Sequence, residues 1–113
     1  MLKIIFHVNE NDQWHRAINN ISNLLKLEER IEIELLVHGE AIGNLLKPKI
    51  GGSLDIAVLQ QLEKQGGSVA VCHNTMTKQG LDAGDLYDGA VIVPAGVYEL
   101  ALKQQQGFAY IKP

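Results

Sequence analysis

The regular alternation of short apolar runs with amphipathic segments constrains the fold of this chain more than any other feature of its sequence. Apolar runs over 2–8, 31–37, 68–71 and 89–93 predict strands, and residues 108–111 predict a short fifth strand. Segments with helical spacing or helix-capping signals separate these runs. The alternation predicts a single α/β domain over residues 1–113, a three-layer α/β/α sandwich whose sheet of four or five strands is mainly parallel.

Local patterns add expectations about individual elements. Asn11 or Asp12 is expected to cap the first helix, because short polar side chains accept hydrogen bonds from free N–H groups at a helix start. Glu32 and Glu34 alternate with apolar residues, which predicts an edge position or one solvated face for the second strand.

The middle of the chain contains a proline and a pair of glycines that suggest a break between two helices. Pro48 is expected to stop a short helix over 40–46, and residues 47–52 are expected to form a mobile loop. Ser53 is expected to cap the next helix, with Leu54 facing the core.

Charge and cysteine content exclude several classes of function. A net charge of −3 makes no electrostatic case for binding nucleic acid or an anionic membrane. The one cysteine cannot form an intramolecular disulfide and fits a reducing compartment. Neither a signal peptide nor a transmembrane run of about 20 apolar residues is recognisable, so the expected location is the cytoplasm.

Polar and titratable residues follow the predicted strands at their carboxyl ends. In parallel α/β folds, ligands bind beyond these ends, so residues there are candidates for one site. The candidates are His7, Asn9, His38, Cys72, His73 and Gly96. Their accumulation at one edge favours a functional Cys72 over an inert buried thiol, although free cysteine also packs as a small hydrophobe.

Cys72 lies between an apolar run and a segment, 74–79, that can form a helix. Free N–H groups and the helix dipole favour thiolate over thiol, so we expect a lowered pKa. The N–H groups of Asn74 and Thr75 are expected to hold the sulfur anion. A protonated His73 or His38 would lower the pKa of the thiol further.

Several familiar site motifs do not occur. The loop after the first strand has no glycine, and neither a phosphate-binding loop nor a nucleophile elbow occurs, so no nucleotide cofactor is expected. A cysteine hydrolase built on Cys72 and His38 has no assignable third member. Zinc held by Cys72, His7 and His38 would lack a paired ligand spacing, so no metal is expected. His15, on the first helix, is expected to be a solvated surface residue.

Three segments carry a resemblance to a known family: residues 72–76, 91–100 and 106–113. There the chain resembles the DsrE/DsrF-like family of small sulfur-relay proteins, in the DsrEFH superfamily. The resemblance implies a three-layer domain that assembles into trimers or hexamers. It also implies that Cys72 carries sulfur as a persulfide, with a sulfur donor or acceptor protein as partner. The residues after the cysteine, 73–75, differ from the apolar ones of the relay subunits, which leaves the donor and the substrate open.

Three hypotheses of function follow. The first is sulfur transfer or carriage through Cys72. The second is a small-molecule or anion-binding, regulatory oligomer without catalysis, its pocket lined by His7, His38 and Asn74. The third is a subunit that only pairs with another protein.

Overall fold

The computed structural model describes residues 1–51 and 53–113, and these form one five-stranded sheet. Every strand pair is parallel, and the strand order is β4-β3-β2-β1-β5. The strands are β1 (Leu2–Val8), β2 (Ile31–Val37), β3 (Ser68–Cys72), β4 (Ala90–Val93) and β5 (Ala109–Ile111). The predicted α/β fold with a parallel sheet is therefore confirmed.

Helices cover the two faces of the sheet unequally. The α-helices are α1 (Asn11–Leu25), α2 (Lys47–Ile50), α3 (Asp55–Lys64), α4 (His73–Lys78) and α5 (Gly96–Gln105). Short 3₁₀ helices span Gly39–Leu45 and Ala83–Asp85. The larger core cluster lies on the face covered by α1 and α3, and the smaller one lies beneath α5. No helix among the described residues combines the length and the apolar character needed to cross a bilayer.

The two central strands are buried on both faces, which explains their nearly continuous apolar sequence. In β1, Phe6 faces the larger cluster and Ile5 faces α5. In β2, Leu35 faces the larger cluster and Leu36 faces α5. All four side chains are at most 1% exposed. Full burial of side chains of this size stabilises the fold by about 1.5–3 kcal/mol each.

Glu34 contradicts the prediction that β2 has a solvated face or lies at an edge. Strand β2 is the central strand of the sheet, and Glu34 is only 3% exposed. Its carboxylate faces Glu99 and Lys103 of α5, with Lys103 Nζ 3.6 Å from Oε1. Its other oxygen, Oε2, has no hydrogen-bond partner among the described residues. Burial, and then the neighbouring Glu99, raise the pKa of Glu34 to about 8 against the opposing effect of Lys103.

The start of α1 also differs from its sequence prediction. Glu10, rather than Asn11 or Asp12, occupies the cap position, and the helix begins at Asn11. The N–H of Glu10 donates to Gln13 Oε1 at 3.2 Å, so a side chain inside the first turn satisfies a backbone donor that precedes it.

In the middle of the chain, Pro48 lies in the first turn of α2 instead of ending a helix, a position where its missing N–H costs nothing. The predicted loop over 47–52 is therefore helical from 47 to 50, and Gly52 lies outside the described residues. Ser53 donates to the carbonyl of Ile50 rather than capping α3, and Leu54 is 91% exposed instead of buried.

Candidate functional site

Polar side chains from four neighbouring strands line the carboxyl edge of the sheet on the α5 face. Side chains two residues apart on a strand point to the same face. An apolar residue beneath α5 therefore predicts the direction of the side chain two positions later. The apolar residues are Ala70, Leu36 and Ile5, and the polar residues that follow them are Cys72, His38 and His7. Strand β5 adds Tyr110, which contacts His7.

Cys72 ends β3 and is the residue from which α4 begins. It is 4% exposed and pairs in register with Val93 of β4. The chain leaves β4 and returns over the sulfur at the start of α5, where the N–H of Gly96 donates to Cys72 Sγ at 3.2 Å. A Cβ on Gly96 would lie only 3.2 Å from His38 Nδ1, so the absence of a side chain lets the donor sit between the thiol and the imidazole.

The environment of the sulfur lowers the pKa of the Cys72 thiol below its usual value. Burial alone raises this pKa, but several donors outweigh it. They are the Thr75 hydroxyl and the backbone N–H groups of Thr75, Gly96 and Asn74. A thiol of this kind is present as thiolate, the reactive form, in a larger fraction at neutral pH than a free cysteine is.

The imidazoles of His7 and His38 form a contact pair. A hydrogen bond joins His7 Nε2 and His38 Nε2, and the centroids of the two rings are 4.6 Å apart with their planes inclined by 25°. On the other side of His7, a hydrogen bond of 2.6 Å joins Nδ1 and the hydroxyl of Tyr110. The three side chains thus form a continuous hydrogen-bonded chain from Tyr110, which is 40% exposed, to the neighbourhood of Gly96.

Both imidazoles of this pair are neutral at pH 7. Burial, the neighbouring His38 and Lys112 lower the pKa of His7 to about 4, and burial and Lys112 lower the pKa of His38. The lowered pKa of His38 disfavours the protonated form that is expected from the sequence to assist the thiolate. The donors named above produce the lowered pKa of the thiol instead.

The remaining predicted site residues are Asn9, Asn74, Thr75 and His73, and His15 was predicted to lie on the surface. Asn9 lies at the same edge, where its Oδ1 accepts a 2.8 Å hydrogen bond from Lys112 Nζ. Asn74 and Thr75 act on the sulfur mainly through their position in the first turn of α4. His73 is exposed on α4, and His15 is exposed on α1.

Sequence reasoning missed Tyr110 and Lys112. Both lie on or after β5, and they reach His7 and Asn9 because β5 pairs with β1. Local pattern does not reveal which strand lies beside the predicted final strand. The one available signal for Tyr110 was therefore its position within that strand. Within 1–51 and 53–113, no group of three or more histidine, cysteine or acidic side chains could hold a metal ion.

Five clefts in the described structure lie away from this edge, and none of the five is lined by Cys72, His38 or His7. One, of about 370 Å³, lies at the opposite edge of the sheet between Met1, Arg30 and Gln65. The site is assigned by its chemistry, because a thiol with a lowered pKa and several hydrogen-bond donors around it indicates a functional site more strongly than a concave surface does.

The fold and the site together define a class: a small parallel α/β/α domain that presents a single hydrogen-bonded thiol at the carboxyl edge of its sheet. The chain belongs to the DsrE/DsrF-like family, whose model matches residues 3–113. The resemblance noted in the sequence is therefore confirmed.

Solved structures of other proteins share this fold. A protein of unknown function from Methanobacterium thermoautotrophicum, MTH1491, is 28% identical with a TM-score of 0.84, and each chain is covered over 100% of its length. The YchN protein from E. coli is 18% identical over 100% of both chains, with a TM-score of 0.81. BT1422 from Bacteroides thetaiotaomicron, a conserved protein of unknown function, is 11% identical with a TM-score of 0.63, covering 98% of this chain and 94% of its own. A search of curated proteins finds no match.

Proposed function

We propose that this protein is a sulfur carrier that accepts a sulfur atom on Cys72 as a persulfide and passes it to another molecule. The observation that carries the proposal is the hydrogen bond from Gly96 N–H to Cys72 Sγ, made at the carboxyl edge of the sheet beside the first turn of α4. Membership of a family generally associated with sulfur relay supports the same conclusion. A reducing compartment, the cytoplasm, suits a carrier that depends on a free thiol.

The loading reaction is an exchange at sulfur. The thiolate of Cys72 attacks the outer sulfur of a donor R–S–SH, a bond forms between the two sulfurs, and the donor's own S–S bond breaks. The products are Cys72–S–SH and the donor thiolate R–S⁻, which takes up a proton. The donors that stabilise the thiolate, Gly96 N–H and the Thr75 hydroxyl, lie where they can hold the loaded sulfur. With no second cysteine in the chain, the persulfide passes to another molecule, which is a sulfur acceptor protein or a small thiol.

Intact-mass measurement after exposure to a persulfide donor tests this function. The wild-type chain should gain about 32 Da, the mass of one sulfur atom, and lose it again on addition of an acceptor thiol. Cys72→Ser should gain nothing, because its hydroxyl does not form a persulfide. Both chains should show the same circular dichroism, which excludes unfolding as the cause. A wild-type chain that stays at its original mass contradicts the proposal.

An anion-binding, regulatory module is the second candidate, and a specific contact favours it. The Lys112 ammonium lies at the carboxyl edge on Asn9 and close enough to His7 and His38 to lower their pKa values. Such a cation beside neutral imidazoles suits a small anion. Binding of sulfite or thiosulfate, measured calorimetrically and retained in Cys72→Ser, would support this function over sulfur carriage.

We also propose that the protein assembles into a homo-oligomer, a trimer or a hexamer. Val97 and Tyr98, next to Gly96 at the start of α5, are 75% and 58% exposed, and Val91 on edge strand β4 is 52% exposed. Apolar side chains that one copy leaves uncovered on the α5 face are suited to burial against a second copy.

Light scattering of a matched pair of variants tests the assembly. Val97→Glu should dissociate the oligomer into monomers, because it introduces a charge into the apolar contact. Leu54→Glu, at a residue 91% exposed on another part of the surface, should leave the mass unchanged. A wild-type chain that is monomeric at micromolar concentration refutes this assembly.

A further inference from the structure

We propose that Tyr110, His7 and His38 form a proton relay that delivers a proton from solvent to the thiolate leaving the sulfur donor at Cys72. The inference rests on the proposed sulfur-carrier function and adds a catalytic acid to it. It is carried by the unbroken hydrogen-bonded chain of these three side chains across β5, β1 and β2, which ends beside the residue that binds the Cys72 sulfur.

The two hydrogen bonds of this chain are consistent with one direction of donation. If the Tyr110 hydroxyl donates to His7 Nδ1, then His7 Nε2 carries a hydrogen and donates to His38 Nε2. His38 Nδ1 then carries the last hydrogen. This nitrogen lies on the Gly96 side of the ring, 3.2 Å from the position of a Cβ on Gly96, so the relay ends in an N–H donor at the site.

The position of His38 suits the leaving sulfur rather than the attacking one. In the transfer, the attacking, transferred and leaving sulfurs stand in line, and S–S bonds are about 2 Å long, so the leaving sulfur lies about 4–5 Å from Cys72 Sγ. Val37 of β2 pairs in register with Val71 of β3. His38 follows Val37 and Cys72 follows Val71, so His38 lies directly after β2 and beside Cys72. Neighbouring strands are about 4.8 Å apart, a matching distance.

The relay needs no charged imidazole. His38 Nδ1–H gives its proton to R–S⁻, His38 Nε2 takes the proton of His7, His7 Nδ1 takes that of Tyr110, and the phenolate regains a proton from water. The products are R–SH, two imidazoles in their other neutral tautomers and a hydroxide ion from the water, so atoms and charge balance. The nearby Lys112 and the burial of both rings disfavour imidazolium, which agrees with a relay that stays neutral throughout. The groups facing the pair are Tyr110, Lys112 and Asn9 at the β5 side and Cys72 with Gly96 at the other.

The basicity of the leaving thiolate separates a relay from a structural role. A donor that releases an alkyl thiolate, such as glutathione persulfide, benefits from protonation, whereas one that releases a stable aryl thiolate, such as thiophenol persulfide, does not. In rapid-quench mass spectrometry, Tyr110→Phe and His38→Gln should slow loading from the alkyl donor about tenfold or more. Loading from the aryl donor should change less than about twofold.

The control variant uses a residue of the same type outside the relay. His15→Gln replaces an exposed histidine on α1 and should leave both rates unchanged. Alkylation of Cys72 by iodoacetamide, which releases iodide and requires no proton, should keep its wild-type rate in the relay variants.

The outcomes distinguish the relay from the carrier function. A wild-type chain that gains sulfur, with relay variants slowed equally on both donors or on neither, overturns the relay and leaves the carrier function standing. A wild-type chain that gains no sulfur from either donor overturns both.

Discussion

Relative to a Glu34→Gln variant, the wild-type domain should lose stability as the pH rises from about 5 to about 8, because folding keeps a proton on Glu34 that the unfolded chain releases. The pKa of Glu34 is raised from 4.5 to about 8 by burial and by Glu99. Between these values Glu34 binds more protons in the folded state than in the unfolded state, so its contribution to the free energy of unfolding decreases with pH. The lowered pKa values of His7 and His38 act in the opposite direction below about pH 6.5, and the comparison with the variant cancels them. The stabilisation is complete below pH 4.5 and is lost as the pH rises through about 8.

The slope from this one group is at most about 1.4 kcal/mol per pH unit, so the loss across the window amounts to a few kcal/mol. Urea denaturation at several pH values measures it. Glu34→Gln, which carries no titrating proton, should remove this part of the pH dependence. Glu32→Gln, at a partly exposed residue two positions earlier on β2, should keep the wild-type pH dependence. A stability difference between wild type and Glu34→Gln that stays constant with pH would show that Glu34 is ionised in the fold.

Gly39→Ala should destabilise the domain by roughly 2 kcal/mol or more, since two independent penalties coincide there. Gly39 has φ of +60°, a left-handed conformation that disfavours any side chain. A Cβ at this position would also lie 2.7 Å from the carbonyl oxygen of Asn9. That oxygen belongs to the backbone, so relief of the clash moves the loop after β1 away from His38.

Gly43→Ala is the matched control, because it lies in the same 3₁₀ helix with nothing within 4 Å of its added Cβ. Chemical denaturation of both variants gives the comparison. If the relay includes His38, Gly39→Ala should slow loading from the alkyl persulfide donor as well as reduce stability. Equal stabilities of the two alanine variants would refute the strain assigned to Gly39.

Local pattern was enough to identify the five strands, the longer helices and the candidate site cysteine. Strands β1 to β3 bury nearly continuous apolar runs and α1 buries an apolar stripe, and both signals repeat within a few residues. The end of β3 at Cys72 is visible for the same reason, because an apolar run stops there and helix-competent residues begin. The short segments that carry the family resemblance are local as well, so the sequence indicated the family as directly as it indicated the strands.

Positions that depend on neighbours distant in sequence required the tertiary structure. The alternation of Glu34 with apolar residues is also the pattern of a half-exposed strand, and only the central place of β2 beneath Glu99 and Lys103 makes it a buried carboxyl group. Likewise, the period of a strand determines the face of each side chain but not which strand lies beside it. Tyr110 reaches His7 because the last strand pairs with the first, a contact between residues 103 positions apart that no local pattern encodes.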